Sequence, residues 1–415
     1  MTTVESVDAW EVLDSRGDPT VRVAVEAGGE RAVFTVPAGA STGSHEATER
    51  RDGGDRYGGR GVRDAVEAVW EELVPVAVGR EATDQRSLDA ALVEQDGTDD
   101  LSRLGANAVL GVSGAVVRVA AAVEGVPLYR YLADGEPSLP LPMVNVLSGG
   151  RHAAGGTAVQ DFLVVPAGAD SYPEALETVH AVRRAARERV TARGERPLVA
   201  DEGGFAPSLA APEEGLDLLV GAIEDAGYRP ARDGVGLALD VAATEFHRDG
   251  RYRLDGRDLD TAGMCDLVAS WDAEYPLVSV EDPLAEDDWT GFASLADRVE
   301  AQLLGDDLLV TDAGRVRRAA REGAATAVLV KPNQAGTVSR ALDTLDAARE
   351  AGLRAVVSAR SGETCDTTIA DLAVARAGQV KIGSLARSER LAKYNRLLAV
   401  AREPVGYAGG AWPPG

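Results

Sequence analysis

The feature that most constrains this chain is a unit recurring through its second half: a short apolar run, a charged or small polar residue at its end, then sequence with helical spacing. The instances are Val235-Gly-Leu-Ala-Leu-Asp240, Pro276-Leu-Val-Ser-Val-Glu281, Gln302-Leu-Leu-Gly-Asp306, Ala327-Val-Leu-Val-Lys331, Arg354-Ala-Val-Val-Ser358 and Gln379-Val-Lys381. Their polar ends are separated by 41, 25, 25, 27 and 23 residues, the length of a strand, a helix and their loops. This is the rhythm of a β/α barrel, in which the C-terminal ends of the strands converge on one mouth. An open doubly wound sheet gives similar spacing, but no Gly-rich dinucleotide fingerprint follows an early strand. The polar ends are therefore expected to meet in space.

The first part of the chain is organised differently. Val21 to Val25 alternates, Gly28-Gly29 turns, and Arg31 to Val36 resumes an apolar run, which predicts a β-hairpin followed by a Gly-rich loop. Helical spacing appears around Val62 to Val78 and from Ala106 to Val123, the latter rich in small residues. Leu139, Pro140, Leu141 and Pro142 mark a junction, since proline restricts itself and its predecessor to extended backbone. The expected organisation is an α+β domain over residues 1–137 and the barrel over 138–415. No apolar run reaches the ~18 residues of a membrane span, and the first thirty residues lack the basic start and apolar core of a signal peptide. The expected location is the cytoplasm. Cys265 and Cys365 lie far apart, so neither a disulfide framework nor a zinc site is indicated.

A net charge of −24 argues against nucleic acid as a partner, because a phosphate polymer would be repelled, but it leaves a small anionic substrate open. Lysine usage says more. Of 43 basic residues only Lys331, Lys381 and Lys393 are lysines, so positions needing any positive charge have become arginine. Lysine alone of the two can give up its proton when its surroundings favour the neutral form.

Asp240, Glu281 and Asp306 are three carboxylates at successive strand ends, an all-oxygen set suited to a hard divalent cation such as Mg2+. The next strand end supplies Lys331 and a later one Lys381. Neighbouring cations are expected to lower the pKa of Lys331 toward a range useful to a general base. Abstracting a proton next to a carboxylate requires that the developing dianion be neutralised by metal and fixed charge, and this set answers that need. Asp201-Glu-Gly-Gly-Phe205 places Glu202 beside two glycines, where it can serve as a general acid, although an acid before glycines is ordinarily a turn residue.

From about residue 4 to residue 397 the sequence resembles enolase. The matches are Leu13-Asp-Ser-Arg-Gly-Asp-Pro-Thr20, Gly39-Ala-Ser-Thr-Gly43, Gly105-Ala-Asn-Ala-Val-Leu-Gly-Val-Ser113, Asp201-Glu-Gly-Gly-Phe-Ala-Pro207, Glu281-Asp-Pro-Leu-Ala-Glu-Asp-Asp-Trp289 and Ala386-Arg-Ser-Glu-Arg-Leu-Ala-Lys393. The resemblance implies an α/β fold with an N-terminal α+β capping domain, a modified barrel with an irregular strand order at its start, and a homodimer. It also implies two Mg2+ ions per site, the second bound with substrate. By the same resemblance Asp240, Glu281 and Asp306 are metal ligands and Ser41 a loop ligand of the second ion. Lys331 is the base, Glu202 the acid, Lys381 the holder of the substrate carboxylate, and Arg360 with Ser361 the phosphate-binding pair. Gln160 and His152 match further active-site positions, and His45 falls in a family motif. His180 and His247 are expected to be structural or exposed, and Lys393 has no derivable role.

Four departures from the family pattern cluster around this site. Ala359 stands where the family has a histidine, Asp161 where it has glutamate, Ser148 where it has asparagine, and Arg151 where it has a small residue. Shorter side chains at 359 and 161 predict a larger pocket, and Arg151 predicts an added positive charge on a closing loop. Together they favour a specialised paralogue acting on a larger phosphate or phosphonate ester, of the carboxyphosphonoenolpyruvate-forming type. The alternatives are ordinary conversion of 2-phosphoglycerate to phosphoenolpyruvate, phosphonoformyl transfer on the same scaffold, and a catalytically decayed binding protein.

Overall fold

The computed structural model describes residues 2–39, 43–153 and 156–409. Its first domain is an antiparallel sheet of Val4–Leu13, Pro19–Ala27 and Glu30–Thr35, the last two joined at Gly28 and Gly29. Both turn glycines have positive φ (56° and 79°), as a tight two-residue hairpin requires. The expected hairpin is present, with Val4–Leu13 added at its edge. Helix Ala106–Val123 lies against this sheet. Its small residues allow close approach, for a Cβ on Gly111 would stand 2.6 Å from Val23 and one on Gly114 2.6 Å from the Phe34 ring. Contrary to the expectation from the sequence, this helix has the length and mean hydropathy (1.7) of a membrane span; 83% of it is buried within the protein.

Eight strands close the barrel in the order Leu141–Ser148, Asp161–Val165, Gly236–Asp240, Leu277–Glu281, Gln302–Gly305, Ala327–Val330, Arg354–Ser358 and Gln379–Gly383. The six strands expected from spacing are all there. The second strand runs antiparallel to both neighbours, with Asp161 opposite Ser148 on one side and Asp240 on the other. Its reversal matters for the site, because it brings the start of that strand, not its end, to the mouth. Below the mouth the interior is filled by Leu141, Met143, Leu163, Leu304, Leu329 and Val356, so the barrel is a packed core and not a pore.

Helices such as Thr261–Glu274, Trp289–Ala296 and Ala313–Glu322 follow the strands, each started by an aspartate (Asp260, Asp288, Asp312) whose side chain accepts a first-turn backbone N–H. Part of the acidic excess is thus spent on helix starts. The two domains meet at the mouth: Ala38 and Gly362 exchange backbone hydrogen bonds at 2.8 and 2.9 Å, Ser15 N–H donates to the Glu363 carbonyl, and Arg16 donates to Ser361 Oγ at 3.3 Å. The Leu13–Thr20 motif is therefore a docking surface for the loop after the seventh barrel strand.

Candidate active site

The strand ends converge on a cavity lined by Glu46, His152, Gln160, Glu202, Asp240, Asp306, Asp307, Lys331, Ala359, Arg360, Ser361 and Lys381. The free space among them is about 30 Å³, enough for roughly one water, because the charged groups reach one another across it. Lys381, 6% exposed, donates to Asp240 Oδ2 at 2.8 Å and Glu281 Oε2 at 2.7 Å. Lys331 Nζ pairs with Asp306, which also accepts from Gln334 at 2.8 Å. Gln160 Nε2 donates to Asp240 at 3.1 Å.

These contacts set the protonation states. Burial works against the charge on Lys381, but Asp240 and Glu281 outweigh it and raise the pKa well above that of an ordinary lysine. Lys331 behaves likewise: burial opposes its proton, Asp306 holds it, and the balance is upward. This reverses the expectation of a lowered pKa, which counted the neighbouring cations and omitted the carboxylate in contact. Burial, then the nearby Asp240 charge, push Glu281 well above the ordinary carboxylate value.

One oxygen of Glu281, Oε1, is buried without a hydrogen-bond partner among the described residues. An unpartnered oxygen in an all-carboxylate set is what a hard divalent cation would satisfy, so Asp240, Glu281 and Asp306 fit magnesium. With their side chains drawn to Lys381 and Lys331, these three do not bring ligand atoms within 4.8 Å of one another; among the described residues two different groupings do. Asp282, Asp306 and Asp307 form one, but the Asp282 carboxylate is engaged by the backbone N–H groups of Asp306 (3.0 Å) and Asp307 (2.7 Å). His152, Asp161 and Glu202 form the other, but His152 Nδ1 is engaged by Asp161 at 2.9 Å. Neither is as available to a metal. Ser41 lies outside the described residues.

Glu202 is carried to the mouth by the 201–204 loop, and its glycines have steric reasons. A Cβ on Gly203 (φ +91°) would stand 3.0 Å from Ser384, and one on Gly204 would meet Asn145 and Ser148 at 2.6 Å. Burial raises the Glu202 pKa, but Arg390, His152, Lys381 and Lys331 more than offset it, so the carboxyl lies below its ordinary value.

The departures from the family pattern take up different places. Asp161 does not line the cavity. It is fully buried behind it, with Oδ1 accepting from Asn145 and from Ser148 Oγ (2.8 Å), and Oδ2 facing His152 Nδ1 at 2.9 Å. His152 Nε2 then points toward Glu202 at 4.0 Å. Burial lowers the His152 pKa, but Asp161 and Glu202 overcome it and bring it up to about 9. Arg151 turns outward, half exposed, and pairs with Glu245 at 3.2 Å. Ala359 alone of the four lines the cavity. The enlarged, arginine-crowned pocket expected from these substitutions is not what the structure contains. His45 pairs with Asp287 at the surface, His180 is exposed, and His247 packs on Tyr252.

Two groups in the cavity were missed from the sequence. Glu46 pairs with Arg360 at 2.7 Å, and the half-buried Asp307 has its pKa raised to about 8, first by loss of solvent and then by Asp306. Glu46 is 314 residues from Arg360, and only its place just after the Gly39–Gly43 motif hinted at it.

The family model for the enolase N-terminal domain matches residues 4–132, and that for the enolase C-terminal TIM barrel domain matches residues 136–410. The chain belongs to the enolase family. It is 51% identical over 414 residues to a protein named enolase from Acidothermus cellulolyticus, covering 97% of this chain and 95% of that one. Membership makes this chain a magnesium-dependent hydro-lyase with an α+β domain ahead of its barrel. Enolases take small anionic substrates, and the presence of Lys331, Lys381 and Arg360 in the cavity agrees with that.

Proposed function

We propose that this enolase catalyses the ordinary reaction, dehydration of 2-phosphoglycerate to phosphoenolpyruvate. The observation that carries the proposal is the joint placement of Lys331, Glu202, Lys381, Arg360 and Ser361 around one cavity, in a chain half identical to a named enolase along nearly its full length. Arg360 and Ser361 hold the phosphate, and Lys381 holds the carboxylate. Lys331 removes the proton from the carbon between them, and Glu202 protonates the departing hydroxyl. Lys331 loses its chief proton-holding partner once Asp306 is engaged elsewhere. Arg390 and His152 do most to depress the Glu202 pKa; an anion lying between Glu202 and the two ammonium groups screens the lesser contributions of Lys381 and Lys331, which moves the carboxyl toward the protonated form an acid needs. Asp240, Glu281 and Asp306 are the residues that would hold magnesium, which would supply positive charge against the second negative charge that grows on the substrate carboxylate; by the family resemblance Ser41 would serve a second ion.

The withdrawal of Asp161 and the outward pairing of Arg151 remove the reasons for a larger phosphonate substrate, and Ala359 alone does not restore them. Retention of every charged group at the mouth argues against a decayed binding protein. We also infer a homodimer: Leu198 and Val199, 64% and 41% exposed, and Leu391, 37% exposed, are tied into one surface by Arg387, which donates to the Val199 and Ala200 carbonyls. The deciding experiment follows the enol absorbance when purified protein and Mg2+ meet 2-phosphoglycerate. Rapid turnover abolished by Lys331→Ala supports the reading, and a folded, magnesium-binding protein that leaves 2-phosphoglycerate untouched sinks it.

A further inference from the structure

Two buried cations stand outside the lining of the cavity. Arg390 and Lys393 sit one turn apart on the helix Ser388–Val400 and are 0% and 1% exposed. Keeping charges so far from water is costly, and a residue needed only for packing would be apolar. What they hold is therefore informative.

The Arg390 guanidinium donates from Nη1 to the carbonyls of Arg360 (2.6 Å) and Ile382 (3.1 Å), and from Nη2 to the carbonyl of Ser361 (2.7 Å). Its ion-pair contact, with Glu389, is looser at 3.6 Å. Lys393 Nζ donates to the Thr364 carbonyl at 2.8 Å and the Glu389 carbonyl at 3.2 Å, and pairs with Glu363 at 2.7 Å. Glu363 in turn accepts the backbone N–H of Arg360 at 3.2 Å and of Thr364 at 3.0 Å. The two cations thus grip both ends of the segment 360–364, and Arg390 joins it to the residue after Lys381.

We propose that Arg390 and Lys393 form a clamp that positions the anion-binding groups Arg360, Ser361 and Lys381, a proposal that rests on the reading of that cavity given above. Each residue type suits its task. A planar fork can serve carbonyls from a loop and from the neighbouring strand, whereas a compact ammonium suits three acceptors converging on a point. This accounts for the third lysine in a chain that otherwise uses arginine. The same helix reaches the acid as well: Tyr394 OH donates to the Gly383 carbonyl at 2.7 Å, and Gly383 (φ +105°) lies so close to the Glu202 carbonyl that a Cβ would stand 2.9 Å from it.

The test compares wild type, Arg390→Lys and Lys393→Arg with Mg2+ present, reading kcat, KM for 2-phosphoglycerate, the dissociation constant of inorganic phosphate by calorimetry, and the melting temperature. A phosphate grip is made equally before and during the reaction, so its loosening raises KM and leaves kcat nearly alone. Arg390→Lys is expected to raise KM and the phosphate dissociation constant together by about tenfold, with kcat changed less than about threefold. A variant that melts earlier but keeps wild-type KM and phosphate affinity has lost only structure, and the clamp is overturned. Should Arg390→Lys fail to fold, Lys393→Arg, which keeps the charge, decides by the same two constants. Absence of wild-type turnover would defeat the assigned reaction and leave the clamp to be judged on phosphate binding alone; a wild type that binds no phosphate defeats the clamp.

Discussion

The two halves of the cavity are built on opposite principles. On one side Asp240, Glu281 and Asp306 meet Lys381 and Lys331 directly, carboxylate against ammonium, each group delivered by its own strand end. On the other, Asp161 stands behind His152, supported by Ser148 and Asn145, and the imidazole lies in contact with it and faces Glu202. Substitution on the first side removes a charge from the reacting centre. Substitution on the second has already happened, and neighbouring residues have closed around it. A departure from family pattern is therefore informative about substrate only where the side chain faces the cavity.

The largest expected effect belongs to the first side. Lys331→Ala should lower kcat by ~10³-fold or more, the loss of a positioned general base, with the melting temperature nearly unchanged. Retained turnover would mean that another group takes the proton. Next, Glu281→Gln should weaken magnesium binding, followed by calorimetry, at least ~100-fold, because it removes a ligand charge that neither neighbour can replace. Unchanged affinity would move the metal to one of the other carboxylate groupings.

The second side is expected to respond through its proton. With its folded pKa raised to about 9 from 6.5, His152 contributes stability that is fully present below pH 6.5 and is lost as pH rises through 9. The gain is at most about 3 kcal/mol, since the raised pKa of buried Asp161 opposes it. Melting temperature should therefore fall between those pH values in wild type and stay flatter in Asp161→Asn. In that variant the His152 pKa, followed by proton NMR, should drop below 6.5, because burial then acts with less opposition, and kcat should fall about tenfold. A His152 pKa that stays near 9 in Asp161→Asn would show that the network does not govern the imidazole.

The same contrast explains what could be seen in the sequence. Asp240, Glu281, Asp306, Lys331 and Lys381 were legible because parallel strands deliver the residue after an apolar run to a common mouth. Asp161 and Gln160 obey the reverse rule, since their strand runs backward, and nothing in a five-residue apolar run states its direction. The edge strand Val4–Leu13 was not anticipated, for its burial pattern mixes buried, intermediate and exposed residues without clean alternation. Glu46 and the contacts of Ser15 and Arg16 with residues 361–363 depend on the docking of two domains, which local pattern does not encode. The direction of the Lys331 shift was misjudged for a related reason: the contact with Asp306 is a matter of a few ångströms between neighbouring strand ends.

The smallest predicted effect is the sharpest check on the comparison. Arg151 was the residue expected to recognise extra negative charge on the substrate, yet its guanidinium is half exposed and faces Glu245. An exposed pair of this kind contributes ~1 kcal/mol or less, and it touches no group that the reaction uses. Arg151→Ala should accordingly change kcat/KM for 2-phosphoglycerate less than about twofold, and Glu245→Gln should do the same. If Arg151→Ala instead raised KM tenfold while Glu245→Gln lowered it, the arginine would be leaving its partner to meet the substrate. The outward-facing side would then belong to the cavity after all, and the case for a more highly charged substrate would reopen.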